Sequence, residues 1–226
     1  MKKLSRLAAT ITIVAMVSIA GQNACAITFN EFPVPTADST PFRITLGPDG
    51  NLWFTENDGN NIGRITPAGV ITEFPIPTAD SQPRAITAGP DGKLWFTESN
   101  GNKIGCITSE GVITEFAIPT ADSQPSSIST GPDGNLWFAE SNGNKIGQIS
   151  PAGVILNEFS IPTSNSQPAG MSNGPDGNLW FCEQNGNRVG KITTAGVITE
   201  FLLPSAESKP RTIRTGYPYR DADACP

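Results

Sequence analysis

The chain has 226 residues, of which 37% are hydrophobic and 16% charged, and its formal net charge is −6 at neutral pH. Its 23 glycines and 20 prolines favour short strands joined by many turns and argue against a helical bundle or a disordered chain. The acidic balance gives no electrostatic reason to bind nucleic acid or an anionic membrane.

The first 26 residues have the pattern of a secretory signal peptide, with a basic head, an apolar run over residues 7–20 and an A-x-A ending at Ala26. The run is short for a membrane span, so an uncleaved anchor is the weaker alternative. A lipid on Cys25 is weaker still, because no aliphatic residues lead into it. Cleavage after Ala26 would remove three cations, leaving 12 Lys and Arg against 21 Asp and Glu, a net charge near −9. We expect a secreted or periplasmic protein without a membrane attachment after signal cleavage.

The cysteine pattern does not predict a disulfide framework for the mature chain. Cleavage leaves Cys106, Cys182 and Cys225, which stand at unrelated places in the sequence pattern. An odd and scattered set predicts neither a disulfide framework nor a metal site, although one bridge stays open.

A repeat of about 42 residues organises most of the chain, since its four tryptophans are spaced by 42, 42 and 43 residues: Trp53, Trp95, Trp137 and Trp180. The unit that starts at Arg84 predicts four strands, "RAITAG", "KLWFTES", "KIGCIT" and "VITEFAI". They are separated by the turns "GPDG", "NGN" and "SEG", and the second of these predicts a two-residue Asn-Gly hairpin. Four antiparallel strands in a unit of this length indicate a β-propeller blade. A solenoid is the alternative, but solenoid repeats of this length are usually helical.

The predicted fold is therefore all-β, a β-propeller of four-stranded antiparallel blades over residues 27–216. About four blades are complete, near residues 42–76, 84–118, 126–161 and 169–203. "ITFNEFPVP" (27–35) matches only a fourth strand, "KPRTIRTG" (209–216) starts a partial fifth blade, and residues 217–226 form a non-repeat tail. Because a propeller normally closes by completing its last blade with a terminal strand, we expect a truncated or frameshifted chain. A reading frame that continues the repeat would confirm this hypothesis, and a closed ring in solution would contradict it.

Three repeated features predict structural roles. The Trp-Phe pair in the middle of each second strand is predicted to fill the space between adjacent sheets. The extra residue in "GVILNEF" (153–159) predicts a β-bulge. Calcium needs six or more oxygens, so the Asp of "GPDG" and the Asn that ends "NGN" are predicted to bond their own turn backbone instead. These residues are Asp49, Asp91, Asp133 and Asp176, and Asn60, Asn102, Asn144 and Asn187.

The stretch "ITEFPIPTADSQPRAITAGPDGKLWFTESNGNKIG" resembles the repeat of the streptogramin B lyases, also called virginiamycin B lyases. The resemblance extends over essentially all of residues 27–216, and the combination of "LWFTE", "GNKIG", "GVITEF" and "IPT" is specific. It implies a seven-bladed propeller and a carbon–oxygen lyase. The implied reaction is a magnesium-dependent elimination that opens a cyclic depsipeptide antibiotic at its ester bond. The resemblance further implies that a histidine after the proline of a first strand is the base. A glutamate fourteen residues later helps to bind the metal.

Carried over residue by residue, this pattern is only half present. The glutamate occurs in every complete unit, which makes four candidate magnesium ligands: Glu56, Glu98, Glu140 and Glu183. The position of the base holds Phe42, Arg84, Ser126 and Ala169, with Arg211 in the fifth unit, and the sequence contains no histidine. An arginine stays protonated, and a serine would need its own activator. We therefore assign no catalytic residue and expect the chain alone to be inactive.

The repeated glutamate has two interpretations. Strand register predicts that the four carboxylates surround one mouth of the central channel, where they could bind a cation or a ligand. The favoured alternative is a structural clamp that accepts hydrogen bonds from backbone N–H groups of the next loop. A clamp predicts that Glu98→Gln lowers the melting temperature without changing ion binding.

Three classes of function stay open. The first is an exported streptogramin B lyase-like enzyme, which a magnesium-dependent ring-opening assay would detect. The second is a non-catalytic secreted propeller that binds a small cyclic peptide, another peptide, a glycan or a partner protein at the channel mouth. The third is a gene fragment without a selected function, which would associate with itself through open blade edges.

Overall fold

The computed structural model describes residues 29–214, and these residues form sixteen β-strands and no helix. Residues 33–214 lie in one compact unit, while residues 29–32 belong to the preceding unit and have no regular structure. The predicted signal peptide and the tail 217–226 lie outside the described residues. No helix in the described part of the chain is long and apolar enough to cross a membrane.

The sixteen strands fall into four groups of four, which we call blades 1 to 4. Blade 1 contains β1 (Pro41–Leu46), β2 (Leu52–Glu56), β3 (Asn61–Ile65) and β4 (Ile71–Pro75). Blade 2 contains β5 (Pro83–Ala88), β6 (Leu94–Glu98), β7 (Lys103–Ile107) and β8 (Ile113–Ala117). Blade 3 contains β9 (Pro125–Thr130), β10 (Leu136–Glu140), β11 (Lys145–Ile149) and β12 (Ile155–Ser160). Blade 4 contains β13 (Pro168–Asn173), β14 (Leu179–Glu183), β15 (Arg188–Ile192) and β16 (Ile198–Leu202).

Within each blade the strands pair antiparallel in chain order, which confirms the predicted four-stranded blades. The extra residue of blade 3 forms the predicted bulge. Gln148 pairs with Asn157 and Ile149 pairs with Ile155, so Leu156 between them has no partner on β11. The two ends of the repeat differ from expectation, because neither residues 29–35 nor residues 209–214 form a strand.

The core lies between neighbouring blades, as the Trp-Phe pair predicts. Trp95 of blade 2 is fully buried and packs in one cluster with Leu136 and Phe138 of blade 3. The same pairing of a tryptophan with the next blade's phenylalanine recurs between blades 1 and 2 and between blades 3 and 4. Within its own blade, Trp95 stacks on Phe116 of the fourth strand, with ring centroids 5.6 Å apart.

The loop between the second and third strands differs from the predicted Asn-Gly hairpin. Four residues, 99–102, separate β6 from β7, and the positive φ of 53° is at Asn102 and not at Gly101. Gly101 is required for space, since a Cβ there would lie 2.8 Å from Oε2 of Glu98. The glycine thus allows the loop to close over the glutamate carboxyl group.

Candidate functional site

The first two strands of each blade bring the repeated glutamate beside the position that the family resemblance assigns to the base. Glu98, the last residue of β6, pairs with Pro83, the first residue of β5, and Arg84 follows that proline. The same pairing joins a proline to the glutamate in the other three blades. The sequence prediction that both positions lie at one end of the hairpin is confirmed.

The side chains of the four glutamates are fully buried, each with no solvent exposure: Glu56, Glu98, Glu140 and Glu183. Seven of their eight carboxyl oxygens have no hydrogen-bond donor within the described chain. The exception is Oε2 of Glu56, which accepts a long bond of 3.4 Å from Asn61. The predicted clamp, in which these carboxylates accept backbone N–H bonds from the next loop, is therefore wrong.

A second row of glutamates, which the sequence interpretation missed, forms the clamp instead. Its members lie on the fourth strands: Glu73, Glu115, Glu158 and Glu200. Oε1 of Glu115 accepts the backbone N–H of Thr78 at 2.9 Å, which ties the linker from blade 1 onto blade 2. Equivalent bonds join the other three glutamates to Thr36, Thr120 and Thr163. The signal was present in the sequence, because "TEF" or "NEF" follows each "IPT" or "VPT" threonine by 37 or 38 residues.

The two rows of glutamates meet as carboxyl pairs, one in each blade. Burial, and then the negative charge of Glu115, raise the pKa of Glu98 to about 8 against the opposing charge of Lys103. Burial would also raise the pKa of Glu115, but hydrogen bonds from Lys103 and Thr78 outweigh it and hold that pKa below its usual value. Glu98 is therefore protonated at neutral pH and can donate its O–H to Glu115, so that it needs no other donor.

The same carboxyl pair recurs in the other blades. Burial, followed by the charge of Glu158, raises the pKa of Glu140 to about 8. Burial and the charge of Glu200 raise the pKa of Glu183 to about 7. The pKa of Glu56 is also raised, first by burial. Each blade thus holds one buried carboxyl group that gives up its proton only with difficulty.

Asparagines of the loops between the second and third strands bind the linker that leaves the same blade. Asn102 donates through Nδ2 to the backbone oxygens of Ile118 and Thr120, at 3.3 and 3.0 Å. Its Oδ1 accepts both the backbone N–H and the hydroxyl of Ser123 at 2.8 Å. These bonds reach 16 to 21 residues along the chain, so the prediction that the asparagine bonds its own turn is wrong.

The aspartate of the "GPDG" turn has the predicted local role and one further contact. Oδ1 of Asp91 accepts the backbone N–H of Lys93 at 3.3 Å and the indole N–H of Trp95 at 3.0 Å. The indole bond recurs at 3.0 Å in all four blades. It gives the indole N–H of all four tryptophans a partner, three of them on fully buried rings, and fixes each ring against its turn.

The four positions beside the buried glutamates hold no group with the properties of a base. Arg84 is half-buried, and its guanidinium carbon lies 5.5 Å from the ring centroid of Phe42. The hydroxyl of Ser126 donates to the backbone oxygen of Pro168 at 3.1 Å and lies 2.8 Å from the hydroxyl of Ser141. Phe42 and Ala169 carry no titratable atom.

Comparison with known proteins agrees with this repeat and fold. The sequence model of the Virginiamycin B lyase family matches residues 9–220. The chain belongs to this family. The crystal structure of selenomethionine-substituted virginiamycin B lyase from Staphylococcus aureus is 49% identical, with a TM-score of 0.79 over 81% of this chain and 62% of that one. A catalytically inactive histidine-to-alanine variant of the S. aureus enzyme, solved with quinupristin, is 47% identical with the same TM-score and coverage.

The chain is shorter than these virginiamycin B lyases, spanning 62% of the length of the solved S. aureus chains. The virginiamycin B lyase of Bacillus licheniformis is 44% identical over 45 residues, which are 20% of this chain and 15% of that protein. The family and the propeller fold follow from these matches.

The magnesium that the virginiamycin B lyase resemblance implies does not suit the buried glutamates as the structure arranges them. Magnesium takes octahedral oxygen ligands and usually keeps several waters, whereas Glu98 has no exposure to solvent. Its neighbour Glu115 already pairs with the ammonium group of Lys103 at 2.9 Å. Across residues 29–214, no three acidic or cysteine side chains gather closely enough to hold a metal ion. Metal binding by the four glutamates stays a prediction from the sequence.

The two described cysteines of this virginiamycin B lyase relative are buried and free: Cys106 on β7 and Cys182 on β14. Burial raises the pKa of both thiols, that of Cys182 to about 11. Such thiols are poor nucleophiles, and the pair lies in different blades.

Proposed function

We propose that this chain is an exported virginiamycin B lyase-like propeller that does not open a depsipeptide ring by itself. The supporting observation is that no base stands beside any of the four buried glutamates, where Phe42, Arg84, Ser126 and Ala169 lie. The sequence has no histidine, and replacing one histidine makes the S. aureus relative catalytically inactive. Removing a proton beside a carbonyl needs a positioned base, and a guanidinium stays protonated.

We expect no ring opening when the purified chain is incubated with quinupristin and Mg²⁺. The absence of a base removes the proton-transfer step, so the depsipeptide ester should stay intact. Mass spectrometry and chromatography would detect a linear product, with the S. aureus virginiamycin B lyase as the positive control. A linear product from the chain at a rate above the protein-free control would contradict the proposal.

A non-catalytic binding propeller is the second candidate. It is supported by the polar and aromatic groups at the start of the first strands, beside the buried glutamates. Phe42 is 45% exposed there and Arg84 is half-buried. Calorimetric titration of the chain with quinupristin separates the two candidates. Heat of binding without a linear product indicates a binding protein. If neither heat of binding nor a linear product is detected, quinupristin is excluded as the ligand.

Export rests on the sequence of residues 1–26. The mature protein is expected to start at Ile27 and to be found outside the cytoplasm. Mass spectrometry of the protein from its native host would test this, and an intact N-terminus at Met1 in the cytoplasmic fraction would contradict it.

We also propose that a second copy of the chain covers the open face of blade 1. Ile44 is 60% exposed, whereas the equivalent Ile86 and Ile128 are 8% and 6% exposed inside blade–blade contacts. Leu52 is 43% exposed, whereas the equivalent Leu94 is fully buried. Because the chain already buries these positions against its own repeats, another copy carries the complementary surface.

Sedimentation over a range of concentrations tests this association. The wild-type mass is expected to rise with concentration, and Ile44→Glu is expected to keep the chain monomeric. Val112→Glu is the matched control, since Val112 is 62% exposed at a turn before β8 and away from the open face. A monomeric wild type at all concentrations would rule the proposal out.

A further inference from the structure

Two arginines from the first strands of blades 1 and 2 converge on one aromatic ring, that of Phe42. The guanidinium carbons of Arg43 and Arg84 lie 5.4 and 5.5 Å from the ring centroid of Phe42. Burial, and then the positive charges of Arg211 and Arg43, lower the pKa of Arg84. We call Phe42, Arg43 and Arg84 the arginine cluster.

The described chain supplies no counter-charge to this cluster. Every ion pair found within residues 29–214 involves a lysine: Lys93, Lys103, Lys145 and Lys191. No guanidinium group of the cluster donates a side-chain hydrogen bond within residues 29–214. In contrast, the guanidinium group of Arg64 donates to the backbone oxygen of Ser109 at 3.0 Å. The chain has 21 acidic residues, so the lack of an acidic partner here does not reflect a shortage of carboxylates.

The nearest carboxyl group by strand pairing does not neutralise the cluster either. Glu98 lies beside Pro83 and Arg84 in the sheet, but its side chain is fully buried and is directed to Glu115 on the fourth strand. The proton that Glu98 holds at neutral pH also removes its charge. The positive charges of the arginines thus lie close together at a partly exposed surface, and a bound anion would reduce their mutual repulsion.

We propose that the arginine cluster binds an anion through carboxylate or phosphate oxygens. Guanidinium groups form flat forks that bind such oxygens in pairs, and an aromatic ring beneath them holds the forks in place at little cost. The exposed part of Phe42 offers an apolar surface to the rest of an organic anion. The proposal does not depend on ring opening or on a metal, because the charges of the cluster are sufficient for it.

Calorimetric titration at low ionic strength tests the proposal with two probes, citrate and inorganic phosphate. Low salt is needed because exposed charges are screened within about 10 Å at 0.1 M ionic strength. Saturable binding of either probe is expected, and comparing the two probes shows whether the site prefers carboxylate or phosphate oxygens. Binding of neither probe to the folded wild type would overturn the assignment.

Matched variants locate the site. Arg84→Gln is expected to weaken binding at least tenfold, and Arg84→Lys, which keeps the charge and loses the fork, should fall between it and the wild type. Lys93→Gln removes the same unit charge at the opposite end of the β5–β6 hairpin and should leave the affinity within twofold. Circular dichroism establishes that each variant is folded. Equal losses in Arg84→Gln and Lys93→Gln would show a general charge effect and would also overturn the proposal.

Discussion

The melting temperature of the protein is expected to fall as the pH rises from 5 to 9, because its buried glutamates must then give up protons inside the fold. The folded-state pKa values of Glu98 and Glu140 are about 8, and that of Glu183 is about 7. In the unfolded chain these groups ionise near 4.5. A carboxyl group with a raised folded pKa contributes stability that is complete below the unfolded pKa and is lost as the pH rises through the folded pKa.

The size of this effect is set by the pKa shifts, at about 1.4 kcal/mol for each unit. Three groups shifted by several units each therefore cost the fold, in total, at most on the order of 10 kcal/mol between pH 5 and pH 9. Glu115 and Glu158 act in the opposite direction, because their pKa values are lowered. Their contribution is lost only as the pH falls below the normal range of glutamate. Maximum stability is thus expected near pH 5.

Replacing the three shifted glutamates by glutamine tests the origin of this pH dependence. A glutamine amide resembles a protonated carboxyl and can donate to the fourth-strand glutamate, so Glu98→Gln should be tolerated at pH 6 and should stabilise the fold at pH 9. This outcome differs from the lower melting temperature expected from the sequence. The triple variant of Glu98, Glu140 and Glu183 should show a nearly flat profile, while Glu110→Gln, at an exposed acid, should retain the wild-type slope. A wild-type profile without a fall above pH 6 would contradict the carboxyl pairs.

The repeat made most of the fold predictable from the sequence. Turn residues and the alternation of "LWFTE" are local signals, and each predicted strand of blade 2 agrees with the observed one within a residue or two. The bulge at Leu156 was predictable because one inserted residue in a paired strand has few other outcomes. The prediction of a two-residue Asn-Gly hairpin was wrong. Gly101 is needed because the carboxyl group of Glu98 lies close to it, and local turn rules do not include this contact.

The chemistry of the site was less predictable because it depends on pairs of residues from different strands. The sequence shows that Glu98 recurs, but its raised pKa follows first from its burial in the assembled fold and then from the charge of Glu115 on β8, 17 positions away. Recurrence alone cannot separate a clamp from a ligand, since both are repeated in every blade. The fourth-strand glutamate was overlooked because an acid on an outer strand resembles ordinary surface. Its bond to the linker appears only when the blades are assembled.

Loss of one interior tryptophan is expected to have the largest effect of any single substitution. Trp95 has no solvent exposure, stacks on Phe116 and donates its indole N–H to Asp91. Trp95→Ala would leave a cavity between blades 2 and 3 and an aspartate without its indole partner. Replacing a buried tryptophan by alanine costs about 3–5 kcal/mol. Urea unfolding at pH 6, where the glutamate pairs keep their protons, would measure this loss.

Trp180→Ala provides the matched control for packing between blades. Trp180 makes the same stack, on Phe201, and the same bond to Asp176, but its ring is only partly buried and Phe201 is 43% exposed. Both substitutions therefore remove one ring stack and one indole hydrogen bond, and the difference between the variants measures burial against the next blade. We expect Trp180→Ala to lose about half as much free energy of unfolding, since transfer energy follows the buried apolar area. Equal losses would mean that the stack and the indole bond, and not the packing between blades, provide the stability of the repeat.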